Sequence, residues 1–288
     1  MSIAPVTPAP LATPTPAAPL VSPAAPLVTP VPTVPGPSAA HAEPVPAGRY
    51  AVRLARDESE VRAAQRLRHR VFAGELGARL EGPEPGIDSD AFDAYCDHLL
   101  VVEEDSGEVV GTYRLLPPER AAVAGRLYSD GEFDLRNLDP IRPDLVEVGR
   151  SCVHPDHRNG AVIALIWAGL ARYMEQSGHN WLAGCCSIPL ADGGGLAAAT
   201  RDTVLSRNLA PAEHRVTPRR PWRSDGVPRP DRAELPPLLR GYLRLGAWVC
   251  GEPAHDGEFG VADLYVLLSL RRTNPRYLRH FLSLVPSA

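Results

Sequence analysis

The sequence contains no lysine, and all 30 of its Lys+Arg residues are arginine. It has only 5 cysteines, an odd number with no CxxC pair, which argues against a disulfide scaffold or a zinc site and fits a reducing cytoplasm. The 9 histidines show no ligand spacing such as HExxH, so we expect no metal. A net charge of -4 gives no overall attraction to nucleic acid, and we predict no such partner.

A long hydrophobic run is also missing. The longest strongly apolar stretch, residues 159–171, lies between Arg158 and Arg172. It is shorter than the roughly 20 residues that a membrane-spanning helix needs. We therefore predict a cytoplasmic protein, with contact to the inner membrane face as the only membrane association considered.

Proline is unevenly distributed. Fourteen of the 32 prolines fall within residues 1–48, in units such as Val31-Pro32-Thr33-Val34-Pro35. Proline this frequent removes backbone donors and blocks helix formation. We therefore predict a disordered proline-rich N-terminus over residues 1–48, with a tether or a peptide ligand as its alternative roles, and a single folded domain over residues 49–288.

The folded part alternates strands and helices without an internal repeat. Asp57 and Glu60 resemble a capping box that opens a helix, and Gly178 is placed to end another. Apolar periodicity predicts the following elements: strands at residues 50–54, 98–103, 108–116, 145–153, 181–187 and 264–270, and helices after Asp57, at 161–176 and at 238–245. This pattern is typical of an α/β domain with a mixed sheet.

One strand–loop–helix unit is the most informative stretch. Val153-His154-Pro155 is followed by Arg158-Asn159-Gly160-Ala161, which places backbone amides at a helix start, where an anion is favoured. An ordinary strand-to-helix turn is the alternative. The Val-x-Pro-x-x-Arg pattern resembles the acyl-donor loop of the GNAT acyltransferase superfamily, although Ala161 and Ile163 stand where that loop has glycine or a small residue.

Further motifs resemble one branch of that superfamily, the bacterial L-ornithine N(alpha)-acyltransferases of ornithine-lipid synthesis. They are the segments Glu147-Val148-Gly149-Arg150-Ser151-Cys152-Val153-His154-Pro155, Gly111-Thr112-Tyr113-Arg114-Leu115-Leu116, Gly184-Cys185-Cys186-Ser187 and Gly241-Tyr242-Leu243-Arg244-Leu245-Gly246-Ala247. A more distant resemblance is to the acyl-homoserine-lactone synthases. Their functional positions are matched by Arg68, Phe72, Asp90, Asp93, Arg114, Phe133, Glu147 and Arg150.

The resemblance implies a GNAT-type fold: a mixed, largely antiparallel sheet flanked by helices, with a splayed central strand pair. It implies transfer of a 3-hydroxyacyl chain from acyl carrier protein to the α-amine of ornithine or a similar amino acid. Acyl carrier protein or acyl-CoA would then serve as co-substrate, with no permanently bound cofactor. The alternatives are an acetyl-CoA-dependent acetyltransferase acting on a metabolite or protein, and a non-catalytic acyl-binding module.

The resemblance also assigns residues to roles. Contacts to the phosphopantetheine of the donor are expected from Cys152, Val153, Arg158, Asn159, Gly160 and Ala161. Substrate contacts are expected from Arg68, Phe72, Asp90, Asp93, Arg114 and Phe133. The catalytic group is expected to be Glu147, Arg150 and Ser151.

Glu147 also makes chemical sense as a proton acceptor. N-acylation needs a neutral amine, and a carboxylate inside an apolar strand is costly unless it is paired or used. An ion pair with Arg150 or Arg68 is the structural alternative. Glu147 and Arg150 are three residues apart and could share a site only if the strand is bulged, for which Gly149 is a candidate. Such a bulge would also free an amide for an oxyanion.

Other charged and nucleophilic residues leave alternatives open. Arg68 lies one helical turn from Phe72, and its acidic partners Asp90 and Asp93 would form either a structural ion-pair cluster or a contact with the substrate's side-chain amine. Covalent catalysis by Cys152, Cys185 or Cys186 is disfavoured, because a thiol nucleophile needs a base within reach.

An arginine-rich loop follows in the C-terminal third. Residues 215–232 contain six arginines against two aspartates, a local charge of +4. Such a loop could dock the acidic acyl carrier protein or an anionic membrane surface, or could simply be solvated.

Overall fold

The computed structural model describes residues 45–80 and 82–273. The predicted disordered tail therefore lies outside the described residues up to residue 44. The described part begins with strand β1 (Val45–Ala47), which pairs antiparallel with β2 (Tyr50–Leu54).

In the described part of the chain, nine strands form one mixed sheet in the order β1-β2-β3-β4-β6-β7-β11-β10, with β9 added beside β11. Besides β1 and β2, its strands are β3 (Asp97–Glu103), β4 (Val109–Leu116), β6 (Leu145–Val153), β7 (Trp181–Pro189), β9 (Trp248–Val249), β10 (Ala254–Asp256) and β11 (Val261–Ser269). Every pairing in this sheet is antiparallel except that of β6 with β7. A small separate pair joins β5 (Phe133–Asp134) to β8 (Thr217–Pro218).

Helices flank the sheet: α1 (Glu58–His69), α2 (Pro118–Ala124), α3 (Gly160–Ser177), α4 (Gly195–Arg207) and α5 (Pro237–Arg244). The Asp57 carboxylate accepts from the Glu60 amide and so caps α1, as the sequence indicated. Gly178 ends α3 at φ 74, a left-handed conformation that glycine adopts without strain. The short helix α2 and the longer α4 were not predicted. Among the described residues, no helix is both long and apolar enough to cross a membrane.

The central strands β6 and β7 separate partway along their length. They pair in parallel only from Leu145 with Trp181 to Glu147 with Ala183, and both continue without pairing to each other beyond that point. Gly184 lies at the point of separation, where a Cβ atom would stand 2.2 Å from the Val148 carbonyl oxygen. Only glycine permits this close approach. The predicted GNAT-type fold, including its splayed central strand pair, is confirmed.

Candidate active site

A cavity of about 490 Å³ opens where β6 and β7 separate. Its walls come from β6, β7 and β11, from the turn after residue 127, and from the π-helical segment Arg70–Glu75 that continues α1. The lining includes Phe72, Tyr128, Glu132, Glu147, Arg150, Ser151, Cys185, Ser187, Asp256, Phe259 and Asp263. Buried polar groups converging on one large cavity are the usual mark of a ligand site.

A bulge in β6 turns Arg150 toward this cavity. Arg114 of β4 pairs with Gly149 and Thr112 pairs with Cys152, so β6 has one residue more than β4 between these pairs. The residue in the left-handed conformation is Arg150 itself, at φ 54, and not the predicted Gly149. A non-glycine residue there costs about 1 kcal/mol, and such strain clusters at functional sites. The bulge brings Glu147 and Arg150 to one cavity, as predicted.

Glu147 is 3 % exposed and is held by backbone amides. Its two carboxylate oxygens accept from the Tyr128 amide at 2.5 Å and the Ser129 amide at 2.9 Å. In the described part of the chain it forms no ion pair with Arg150 or Arg68. The ion pair considered in the sequence analysis as the alternative to a catalytic role is therefore not found. Burial raises the pKa of Glu147 above the ordinary glutamate value, and these hydrogen bonds offset only part of that rise.

Three arginines and three aspartates form a buried ion-pair network beside the cavity. Arg68, 0 % exposed, binds Asp88 at 2.8 Å and Asp93 at 2.8 Å. Arg114 binds Asp90 at 2.7 Å. Arg150 reaches Asp88 at 3.4 Å and Asp90 at 3.3 Å.

These contacts affect the ionisation of Asp93. Burial acts to raise its pKa, but the hydrogen bonds and charge of Arg68 outweigh burial and hold the pKa well below the usual range. The network is the ion-pair cluster that the sequence left open, and its arginines occupy both Asp90 and Asp93.

The cation of Arg150 also stacks on aromatic rings. Its guanidinium carbon lies 5.2 Å from the Tyr128 ring centroid and 4.7 Å from that of Phe259. The Phe259 ring meets Phe72 edge to face at 5.7 Å. These cation–π and aromatic contacts fix the position of Arg150 in the cavity wall.

The structure adds three acidic residues that the sequence analysis missed. Glu132, Asp256 and Asp263 each place one carboxylate oxygen within 4.8 Å of the other two, and all three line the cavity. We call them the acidic wall. In the described part of the chain, no ion pair joins any of them to an arginine.

Two of the three carboxyl groups of the acidic wall, Glu132 and Asp263, have raised pKa values. Burial, together with Asp263 and Asp256, raises the pKa of Glu132 to about 8. Burial likewise raises the pKa of Asp263 to about 6, although the Ser187 hydroxyl donates to it at 2.6 Å. Three carboxylates can hold a cation, either a metal ion with oxygen ligands or an ammonium group. Asp263 lies within the apolar strand β11, as Glu147 lies within β6, and a carboxylate in such a position is costly unless it is paired or used.

The remaining predicted residues divide between the cavity and its surroundings. Phe72 and Ser151 line the cavity, whereas Phe133 is 0 % exposed and packs in the core against Tyr265. Cys152 packs beneath α1 in a separate apolar cluster, and Val153 lies against the main core.

The cysteines are poorly suited to covalent catalysis. Burial raises the pKa of Cys152 and Cys186 to about 12. The pKa of Cys185 also lies well above its usual value, again through burial. A thiol must ionise to act as a nucleophile, so these values support the low weight that the sequence gave to this chemistry.

The predicted donor loop leads into the start of α3. Its backbone amides and its arginine are hydrogen-bonded to side chains of the protein itself. Asn159 caps the helix, since its side-chain oxygen accepts from the amides of Ala161 and Val162, both at 3.1 Å. Arg158 makes two hydrogen bonds to Glu75, at 2.6 and 2.5 Å. Gly160 has open space around its Cα.

The fold and the site together define a GNAT-type acyltransferase. The family described as "Acetyltransferase (GNAT) domain" matches residues 67–168, which span the π-helical segment, the bulged strand β6 and the first half of α3. The predicted enzyme class is confirmed.

Longer matches identify the branch. An L-ornithine N(alpha)-acyltransferase of Rhodobacter capsulatus is 39% identical over 247 residues, covering 79% of this chain and 93% of that protein. One from Brucella abortus is 35% identical over 256 residues, covering 81% and 89%. The chain belongs to the L-ornithine N(alpha)-acyltransferase family, as its motifs indicated. A solved CoA-dependent acyl-homoserine lactone synthase, BjaI, is similar at 18% identity and a TM-score of 0.49, covering 80% of this chain and 85% of that one.

Proposed function

We propose that this enzyme transfers an acyl chain, typically 3-hydroxylated, from acyl carrier protein to the α-amine of ornithine, as the first step of an amino-acid lipid synthesis in the cytoplasm. The observation that carries the proposal is the position of the acidic wall. Its carboxylates, without an arginine partner among the described residues, lie in the cavity that opens beside the gap between β6 and β7. A thioester arm in the gap would meet a cationic amine held in the cavity.

The acceptor amino acid is assigned by charge. The network of Arg68, Arg114 and Arg150 is already balanced by three aspartates, so it offers no net attraction to a cation. The acidic wall contains carboxylates whose negative charge would be neutralised by an ammonium group of the substrate. A buried charge is stable only when paired, so this wall selects an amino acid with a second amine. Glu132 and Asp263 thus replace Asp90 and Asp93 as the proposed partners of the side-chain amine.

Glu147 is the proposed proton acceptor for the α-amine. The Tyr128 and Ser129 amides and the Ser129 side chain all donate to Glu147, which leaves part of its acceptor capacity for a substrate proton, and burial raises its pKa and so makes it a stronger base. The ammonium proton passes to Glu147 and the amine nitrogen attacks the thioester carbonyl. The C–N bond forms and the C–S bond breaks, and the pantetheine thiolate leaves and takes up the second proton, which the nitrogen loses as the amide forms.

Two further residues of β6 are proposed to assist. The bulge at Arg150 and Ser151 interrupts the pairing with β4, and β6 has no pairing with β7 beyond Glu147. Backbone amides of this stretch are proposed to stabilise the oxyanion of the tetrahedral intermediate. Arg150, fixed by its stacking contacts, is proposed to orient the substrate carboxylate.

Carrier-protein docking is assigned to the arginine-rich loop. Arg220, Arg223 and Arg232 are exposed, and none of them has an ion pair among the described residues. Charge reversal by Arg220→Glu/Arg223→Glu is expected to raise the KM for the acylated carrier protein, and added salt should raise the wild-type KM. Arg207→Glu, on α4, is the matched control. A KM unchanged by both salt and charge reversal would remove the loop from the docking surface.

A donor and acceptor panel tests the function. Purified enzyme is incubated with 3-hydroxyacyl carrier protein, the matching acyl-CoA or acetyl-CoA, and with ornithine, lysine, norvaline or glutamate, and the products are weighed by mass spectrometry. We expect N-acylornithine from the long-chain donor. Acetylation of metabolites from acetyl-CoA would instead identify an acetyltransferase. Binding of acyl donors without any turnover would identify an acyl-binding module.

A further inference from the structure

The start of α3 lacks the open anion cradle that a nucleotide diphosphate requires. Such a cradle consists of free backbone amides at the first helical turn. Here the amides of Ala161 and Val162 both donate to the Asn159 side chain, each at 3.1 Å. These two amides are satisfied within the chain before any ligand arrives.

The Asn159 cap is itself held in place. Its side-chain nitrogen donates to the Tyr50 hydroxyl at 3.2 Å, and that hydroxyl is hydrogen-bonded to the His157 ring at 3.1 Å. His157 and Tyr50 are both buried. An incoming phosphate would therefore have to displace a cap that is anchored to the sheet through β2.

Two neighbouring side chains add to this closure. Arg158, the cation expected to face a phosphate, is bound at both terminal nitrogens by the Glu75 carboxylate, whose pKa is lowered by those hydrogen bonds. Ile163 places a branched apolar side chain, 43% exposed, on the first turn of the helix. An anion at this position would meet a carboxylate and an apolar surface in place of free amides.

We propose that Asn159, Ile163 and the Arg158–Glu75 ion pair determine donor choice by excluding thioesters that carry an adenine nucleotide. A pantetheine arm attached to a carrier protein has a single phosphodiester and no adenosine diphosphate. It can therefore bind beside the start of α3 without hydrogen bonds from free amides there. This inference rests on the proposed function and assigns the donor preference to particular side chains.

Opening the cradle tests the proposal. Asn159→Gly/Ile163→Ala removes the cap acceptor and the branched side chain, at a cost of a few tenths of a kcal/mol for the cap. We expect the ratio of kcat/KM for acyl-CoA to kcat/KM for the same chain on the carrier protein to rise at least about tenfold. Glu75→Gln, which frees Arg158, should increase the gain. Asn159→Asp retains the cap acceptor and should show no gain.

Calorimetric titration with CoA alone gives a readout besides activity. The Kd for CoA should fall in the opened variant and stay unchanged in Asn159→Asp. An unchanged Kd, or a wild-type enzyme that already uses acyl-CoA as efficiently as acyl carrier protein, would overturn the inference while leaving N-acylation intact. A wild-type enzyme that acylates no amino acid from any donor would instead refute the proposed function.

Discussion

Replacing Asp263 by Asn removes one carboxylate of the acidic wall while retaining an oxygen that accepts from Ser187. A full charge about 4 Å from an ammonium is worth about 4 kcal/mol at an effective dielectric constant near 20. Because Glu132 and Asp263 hold protons at raised pKa values, part of that charge is absent at neutral pH. We therefore expect a loss of about 1.4–2.7 kcal/mol, or roughly 10- to 100-fold in kcat/KM for ornithine.

Norvaline isolates this effect, because it has the carbon chain of ornithine without the second amine. The assay measures kcat/KM for both amino acids in the wild type and in Asp263→Asn. Asp139→Asn, at an exposed aspartate paired with Arg142 outside the cavity, is the control. Only the ornithine value should fall. An equal fall for both substrates would mean that Asp263 supports the fold or the reaction in general, and the charge argument would be refuted.

Three further predictions concern the strands around the cavity. Glu147→Gln should lower kcat by about 10²–10⁴-fold with little change in KM, measured by steady-state kinetics; an unchanged kcat would remove its role as proton acceptor. The pKa of Glu132 is raised from 4.5 to about 8 in the folded state, so stability should decrease as pH rises through that interval. In urea unfolding, Glu132→Gln should flatten this pH dependence, and an equally steep curve would contradict the assignment. Gly184→Ala should cost about 1–3 kcal/mol in thermal unfolding, because its Cβ would meet the Val148 carbonyl at 2.2 Å, whereas Gly257→Ala has open space.

The elements that carry strong apolar patterns could be predicted from the sequence. β6 was predicted to the residue and α3 to within one residue at each end, since both are rich in apolar residues and α3 is bounded by Asn159 and Gly178. α4 was missed: it follows the glycines at 193–195, which are typical of a loop, and its buried face contains the small residues Ala197, Ala198 and Thr200.

Residues of the candidate site could be predicted to lie together only where they belong to the same sequence segment. Glu147 and Arg150 lie on the same strand, so the need for a bulge could be reasoned from their spacing. The acidic wall could not be predicted from residue spacing along one strand. Asp256 and Asp263 lie on the paired strands β10 and β11, whereas Glu132 follows a short 3-10 turn outside the sheet and more than 120 residues earlier, so only the tertiary fold brings the three together. Asp263 was also hidden because the last strand was predicted to begin at residue 264, whereas β11 begins at Val261.

The most direct test of the central claim is the position of the new amide bond. Ornithine offers two amines; the acidic wall is proposed to hold the side-chain ammonium while Glu147 deprotonates the α-amine. Tandem mass spectrometry of the product formed from 3-hydroxyacyl carrier protein distinguishes the two isomers. We predict acylation at the α-nitrogen alone. A product acylated at the side-chain nitrogen would contradict the assigned roles of the acidic wall and of Glu147.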